Sequence, residues 1–223
     1  MTSWNLPALL DHTVLRPEAT KADVLRLCQE AKDLGFVVIF VPPCYVDEAV
    51  AATAGSAVRV GIPIGFPLGG HTTKAKVAEA TEAVARGAQI LDMVINVSRL
   101  KSGDQAYVRQ DIAEVVKATP SAEHKVILET CLLTQQEKIT ACHLVVEAGA
   151  DYVKTSTGFS TAGATVDDVR LMKQTVAGKA KVKASGGIRD WQTTLAMLEA
   201  GADRIGTSAS LKILEEWKAR GNR

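Results

Sequence analysis

Glu147-Ala148-Gly149-Ala150-Asp151-Tyr152-Val153-Lys154-Thr155 is the stretch whose reading decides the fold. Its first half ends a helix on a glycine, and its second half is a short apolar strand. The opening returns as Glu199-Ala200-Gly201-Ala202-Asp203, and Arg86-Gly87-Ala88-Gln89 is a looser copy. A glycine so placed takes the left-handed conformation that closes a helix, and the chain turns directly into the next strand. The three glycines lie 62 and 52 residues apart, room for about two strand–helix units in each interval.

Outward from this repeat, short apolar runs alternate with longer amphipathic segments. The runs are Phe36–Val41, Val58–Ile64, Ile90–Asn96, Lys125–Thr130, Asp151–Thr155, Lys181–Ser185 and Asp203–Thr207, with Leu9–Thr13 a weaker eighth. Between them lie Lys21–Leu34, Thr73–Arg86, Gln105–Ala118, Thr134–Ala148, Val166–Ala177 and Asp190–Ala200. Strands apolar on both faces and separated by helices imply parallel βαβ units. Eight units in 223 residues predict an α/β protein of (β/α)8 TIM-barrel type, one domain over residues 1–223. A doubly wound open sheet is the competing arrangement.

Composition narrows the function. With 26 Lys+Arg against 25 Asp+Glu the net charge is +1, which argues against a nucleic-acid or anionic-membrane surface. Hydrophobic residues at 47% and charged residues at 23% exclude wholesale disorder. No apolar run approaches the ~20 residues of a membrane span. Met1–Leu10 lacks the basic and apolar regions of a signal peptide. Cys28, Cys44, Cys131 and Cys142 are widely spaced, as reduced thiols of a cytoplasmic protein are. His12, His71, His124 and His143 show no metal-ligand spacing, so no metal is expected.

Five residues beyond each repeat glycine stand Asp92, Lys154 and Gly206, so one structural slot holds an acid, a base and a glycine. Lysine is rarely buried, because desolvating an ammonium is expensive. Lys154 therefore either reaches solvent or a carboxylate from the end of its strand, or is a nucleophile with a lowered pKa. Lys183, on the next strand, would stand ~4.8 Å away and disfavour the protonation of Lys154. Lys179 and Lys181 share its parity and fit the solvated end of the strand. Asp92, inside the apolar run Leu91-Asp92-Met93-Val94-Ile95-Asn96, would be costly unpaired; beside two lysines it is a charge partner and proton relay. Ser185-Gly186-Gly187-Ile188-Arg189 opens a helix at Asp190, and Gly206-Thr207-Ser208 follows the last strand. Such loops let backbone N–H groups approach an anion, and in barrels they form the usual phosphate site. Gly158 adds a third wall.

Leu91–Asn96, Val153-Lys154-Thr155-Ser156-Thr157-Gly158-Phe159 and Val182–Arg189 resemble the signature segments of the deoxyribose-phosphate aldolase family. Asp11-His12-Thr13-Val14-Leu15, Pro43-Cys44-Tyr45-Val46 and Gly65-Phe66-Pro67-Leu68-Gly69 resemble it too, so the likeness spans nearly the whole chain. The resemblance implies a (β/α)8 barrel that reversibly cleaves 2-deoxyribose 5-phosphate to glyceraldehyde 3-phosphate and acetaldehyde, without metal or other cofactor. It also implies a homodimer or higher assembly. It makes Lys154 the Schiff-base lysine, Lys183 the partner that lowers its pKa and Asp92 the proton relay. Gly158, Gly186, Gly187, Arg189, Gly206 and Ser208 become the phosphate shell, with Asp11, Thr13, Thr155 and Ser185 in support.

Two features depart from longer members: Phe159 replaces a lysine, and the chain ends Trp217-Lys218-Ala219-Arg220-Gly221-Asn222-Arg223 rather than in a tail with a terminal tyrosine. Both predict a looser preference for phosphorylated over plain sugars. Cys44 is expected to be a small core residue, or a thiol near the pocket able to trap enals. The rival readings are another phosphosugar isomerase or aldolase, which leaves the lysine pair unexplained, and a pyridoxal-phosphate-binding barrel.

Overall fold

The computed structural model describes residues 4–221; Met1–Ser3 of the amino-terminal segment and Asn222–Arg223 of the tail considered above lie outside them. Among the described residues eight parallel strands close in chain order into a barrel. They are β1 (Leu10–Thr13), β2 (Val38–Phe40), β3 (Arg59–Ile64), β4 (Ile90–Val94), β5 (Glu123–Ile127), β6 (Tyr152–Lys154), β7 (Lys181–Ser185) and β8 (Arg204–Thr207). Ten helices accompany them: α1 (Leu6–Leu9), α2 (Lys21–Leu34), α3 (Val46–Thr53), α4 (Thr73–Ala85), α5 (Val97–Lys101), α6 (Gln105–Ala118), α7 (Gln135–Glu147), α8 (Val166–Val176), α9 (Trp191–Glu199) and α10 (Ser210–Ala219). The expected barrel is present, and the open sheet is excluded by the pairing of β1 with β8. No described helix is long and apolar enough to cross a membrane.

The repeat glycines do what their position requires. Gly87, Gly149 and Gly201 have φ of 102°, 84° and 108°, a region in which side-chain-bearing residues are strained. Thr20 and Thr134 form capping boxes with Asp23 and Glu137, and Thr165 and Asp190 cap α8 and α9. Each such cap contributes about 1 kcal/mol. Asp190 and Thr134 thus stand just outside the helices the sequence pattern assigned them to.

Strand alternation divides the molecule into two interiors. Outward residues such as Ile39, Ile62, Leu91, Val126, Val153, Val182 and Ile205 join the helices in one continuous apolar core. Inside the barrel only Val38, Phe40 and Ile90 form a small apolar cluster, and the other inward positions are largely charged. Each aliphatic side chain buried outside stabilises by roughly 1.5–3 kcal/mol, which offsets the cost of the charges within.

The differences from the sequence pattern have local causes. The fifth strand begins at Glu123 and ends at Ile127, because Glu129 adopts φ 55° and Thr130–Leu132 turn as a 3-10 helix. Lys125 consequently sits at mid-strand, not at the rim. Helices α1, α3, α5 and α10 were not signalled: α1, α3 and α5 span only four, eight and five residues, α1 taking Leu9 from the expected first strand, and α10 has no side-chain cap.

Behind the carboxyl end of β4, Lys76 and Asp111 are both 0% exposed and pair at 2.6 Å. Lys76 also donates to the Val94 carbonyl at 2.9 Å, and Thr73 Oγ1 donates to Asp111 Oδ1 at 2.8 Å. This network ties α4 and α6 to the strand that carries Asp92. Removing one partner leaves a buried charge unpaired, so Asp111→Ala is expected to destabilise by ~3–5 kcal/mol, read as a lowered urea midpoint.

Candidate active site

Strand register brings the singled-out charges together. Lys154 pairs with Lys183 in β6–β7, and Asp92 with Lys125 in β4–β5. All face inward. Lys154 Nζ donates to Asp92 Oδ2 at 2.6 Å, and Lys183 Nζ donates to the same oxygen at 2.7 Å. Asp92 Oδ1 has no hydrogen bond among the described residues. Lys183 also lies 2.6 Å from Asp11 Oδ2, and Arg204 Nε donates to Asp11 Oδ1 at 2.6 Å. The result is a zigzag of alternating charge, Lys154–Asp92–Lys183–Asp11–Arg204, inside the barrel.

The two lysines have opposite fates. Burial lowers the Lys154 pKa to about 8: the Asp92 carboxylate works against this and the Lys183 ammonium adds to it. Desolvation is therefore the leading cause, where the sequence pattern put Lys183 first. Lys183 is held above the usual lysine value, because Asp11 and Asp92 together outweigh its own burial. Burial alone would raise Asp92, but Lys154 and Lys183 bring it below the ordinary carboxylate range. The labile proton of the cluster is on Lys154.

Lys154 and Lys183 stand on the lining of a cavity of about 660 Å³ that opens among the loops following the strands. Its lining includes Thr13, Gly158, Ser185, Gly186, Gly187 and Arg189, and also Gly206 and Ser208. Asp92 and Thr155 lie behind this surface. Thr155 exchanges hydrogen bonds with Ser185: its hydroxyl donates to the Ser185 carbonyl and accepts from the Ser185 N–H, both at 3.0 Å. Ser185 Oγ donates to the Ser156 carbonyl, and Thr13 Oγ1 to the Asp11 carbonyl. These three brace the strand ends. Asp11 of the supporting set pairs with the Lys183 ammonium, and the Thr155 N–H donates to the Lys183 carbonyl at 3.1 Å.

The anion end differs in one respect from the sequence pattern. The amino terminus of α9 is filled by the protein itself, with Asp190 accepting from Thr193 N–H and Glu216 from Trp191 N–H. The amino terminus of α10 has no side-chain cap, and Ser208 and Ala209 before it line the cavity. The glycines have distinct tasks. Gly186 and Gly187 take φ of 86° and 77°. A Cβ on Gly206 would meet Lys183 Cε at 2.9 Å, so this glycine makes room for the lysine.

Several contributors escaped the sequence pattern. Phe40 is the apolar floor, its ring centroid 3.8 Å from Lys183 Nζ and 5.6 Å from Lys154 Nζ. Glu129 accepts from both the backbone N–H and the hydroxyl of Thr157, fixing the loop that carries Gly158. Gly163 packs so tightly on Gly186 that a Cβ would meet its carbonyl oxygen at 2.1 Å. Cys44 is neither core nor pocket: it is exposed, beside a separate cavity of about 160 Å³. Cys131 Sγ donates at 3.4 Å to the Oγ of Ser160, the residue after Phe159 of the pocket lining.

Fold and pocket together define a (β/α)8-barrel enzyme with a buried, lysine-centred polar core opening at the carboxyl ends of its strands. The chain belongs to the DeoC/LacD family of aldolases, whose model matches residues 7–216. It is 52% identical over 220 residues to the deoxyribose-phosphate aldolase of Caldanaerobacter subterraneus subsp. tengcongensis, covering 97% of this chain and 95% of that one. Among solved structures, the aldolase QR15 superposes with a TM-score of 0.93 at 43% identity, covering 97% of each chain. The tetrameric deoxyribose phosphate aldolase from Aeropyrum pernix superposes with a TM-score of 0.90 at 35% identity, covering 96% of this chain and 92% of that one.

The charge arrangement predicts how Lys154 titrates. Labelling by a limiting amine-selective reagent, read by peptide mass, is expected to rise with a midpoint near pH 8. Asp92 holds the proton on Lys154, so Asp92→Asn moves that midpoint downward, and an upward move contradicts the assignment.

Proposed function

We propose that the chain reversibly cleaves 2-deoxy-D-ribose 5-phosphate to D-glyceraldehyde 3-phosphate and acetaldehyde through a Schiff base on Lys154. The observation that carries this is a buried lysine, readily neutral, 2.6 Å from a carboxylate on the floor of a pocket whose far wall is glycine loops and an uncapped helix terminus. The names of the relatives supply the substrate, and the site supplies a chemistry that fits it.

The neutral amine of Lys154 adds to the C1 aldehyde of the open-chain sugar, and loss of water leaves an iminium. The C2–C3 bond then breaks as the C3 hydroxyl gives up its proton. The bonding pair enters the iminium to form an enamine, and glyceraldehyde 3-phosphate departs. Protonation of C2 and hydrolysis release acetaldehyde and restore the amine. Asp92, in contact with both lysines, is the group that accepts and returns protons, and Lys183 keeps it ionised. Arg189, Ser208, the Gly158 and Gly186–Gly187 loops and the α10 terminus hold the phosphate. One barrel domain acts in the cytoplasm, as the unpaired thiols suit, and as a homo-oligomer after the tetrameric A. pernix relative.

Incubation with 2-deoxyribose 5-phosphate and borohydride is expected to leave a covalent adduct on Lys154 by peptide mapping, absent from Lys154→Ala. A folded protein without adduct overturns the proposal and favours the pyridoxal-phosphate or isomerase readings.

Phe159 is 48% exposed, lines the pocket and meets Phe66 edge-on at 5.3 Å. An aromatic rim offers a phosphate nothing. Phe159→Lys is expected to raise kcat/KM for the phosphorylated sugar relative to plain 2-deoxyribose several-fold, about the 1 kcal/mol of an exposed ion pair. An unchanged ratio removes Phe159 as the determinant.

A further inference from the structure

A third lysine lies inside the barrel, and the reaction above does not use it. Lys125 is 0% exposed at the middle of β5, level with Asp92 of β4 and Tyr152 of β6. Its ammonium forms an ion pair with Glu123, two residues earlier on its own strand, and stands 4.8 Å from the Tyr152 ring centroid. Its Nζ is 5.9 Å from the Phe40 centroid, so the amines of Lys125, Lys154 and Lys183 crowd around one aromatic ring.

The charges around Lys125 come from nearly every strand. Burial lowers the Lys125 pKa and Lys183 of β7 adds to this, whereas Asp11 of β1, Asp92 of β4 and Glu123 work against it and favour the ammonium. Arg59 of β3 reaches Glu123 at 3.0 Å, Lys181 of β7 covers Tyr152 from the rim, and Arg204 of β8 holds Asp11. Outside the sheet, the neighbouring His124 side chain is occupied by Thr119. Within this ring Asp11, Asp92 and Glu123 face Lys125, Lys154, Lys183 and Arg204, with Arg59 and Lys181 at its edge, so cations outnumber anions. A proton is in surplus, and two lysines, Lys125 and Lys154, both with a pKa lowered by burial, are candidates to lose it.

We propose that Lys125 is a positioning residue for the charge of the active amine: pinned as an ammonium by Glu123 beneath the cluster, it draws on the fields of Asp92 and Asp11 and so makes Lys154 the lysine that gives up the surplus proton. Two effects act in one direction. A third cation in the same low-dielectric core repels charge on Lys154, and it competes for the carboxylate that would otherwise hold the Lys154 proton. The fields of Lys125 on both Asp92 and Asp11 are among those that keep these carboxylates ionised. Lys125 need not touch substrate, and it is absent from the pocket lining.

The inference rests on Lys154 being the Schiff-base lysine, so that is settled first in the unmodified enzyme by borohydride trapping with acetaldehyde and peptide mapping. No adduct there is a failure of the proposed function. With the adduct in hand, the initial trapping rate is followed from about pH 6 to 10. Lys125→Met is expected to raise the midpoint by about one pH unit, slowing trapping at pH 7 up to tenfold while the alkaline plateau stays in place. Lys125→Arg, which keeps a charge, is expected to restore the native midpoint. A Lys125→Met protein with native circular dichroism and an unmoved midpoint overturns the proposal. So does an equal displacement in Lys125→Met and Lys125→Arg, which would show a packing role. Should Lys125→Met not fold, the same upward step is read between Glu123→Gln and the double variant Lys125→Met/Glu123→Gln, and its absence overturns the proposal equally.

Discussion

Asp92 Oδ2 receives two ammonium groups at 2.6 and 2.7 Å in a space closed to bulk water, and the rest of the structure is arranged around that contact. Without the carboxylate, two lysines on adjacent strands would repel each other in a medium too poor in water to screen them. With it, the three groups share their protons unequally. Lys183 touches two carboxylates and keeps its proton, whereas Lys154 touches one, already shared, and lets its proton go near pH 8. The arrangement depends on register. A slip of one residue in β4 or β6 would turn Asp92 or Lys154 outward into the apolar layer, where neither has a partner.

The same strands therefore carry stability on one face and chemistry on the other. Val153 and Val182 lie beside Lys154 and Lys183 in sequence and point the opposite way, into the continuous core shared with the helices. This separation lets a barrel keep its charged centre, because the cost of desolvation is met by apolar area elsewhere. Inside, space is matched to the long side chains. Gly206 leaves room for Lys183, and Gly61 leaves room for Phe40, whose ring a Cβ would approach within 2.6 Å. Phe40 in turn offers the amines an aromatic face that attracts cations without accepting their protons.

Lys154, Lys183 and Asp92 were legible in the sequence because each interrupts an apolar strand, and a charge there needs a partner. The repeat glycines put Asp92 and Lys154 in one common slot on alternate strands, and Lys183 followed from the strand next to Lys154. Lys125 was not legible as a core residue, because its apolar run begins with it and a charge at a strand start ordinarily marks solvent. Only the earlier start of β5 at Glu123 shows that it is interior. Glu129 and Gly163 were silent for a different reason. Their contacts join loops of separate units, Glu129 to Thr157 and Gly163 to Gly186, and no periodicity encodes a loop-to-loop contact. Helix α10 lacks the capping residue that announces a helix, whereas the terminus of α9 is occupied by the protein's own carboxylates.

The mouth of the pocket is accordingly asymmetric. Toward β7 and β8 it presents glycine backbone, Arg189 and an open helix terminus, all suited to negative charge. Toward the loop after β6 it presents Phe159, which meets Phe66 of the loop after β3 edge to face. The lysines lie below. Under the proposed function, a molecule with an aldehyde at one end and an anion at the other would place the anion on the glycine side and the carbonyl toward Lys154. Because the glycine wall and the amine stand on adjacent strands β6 to β8, backbone geometry fixes the distance between them. The surface suited to negative charge thus lies on one side of the mouth, and Phe159 adds none on the other.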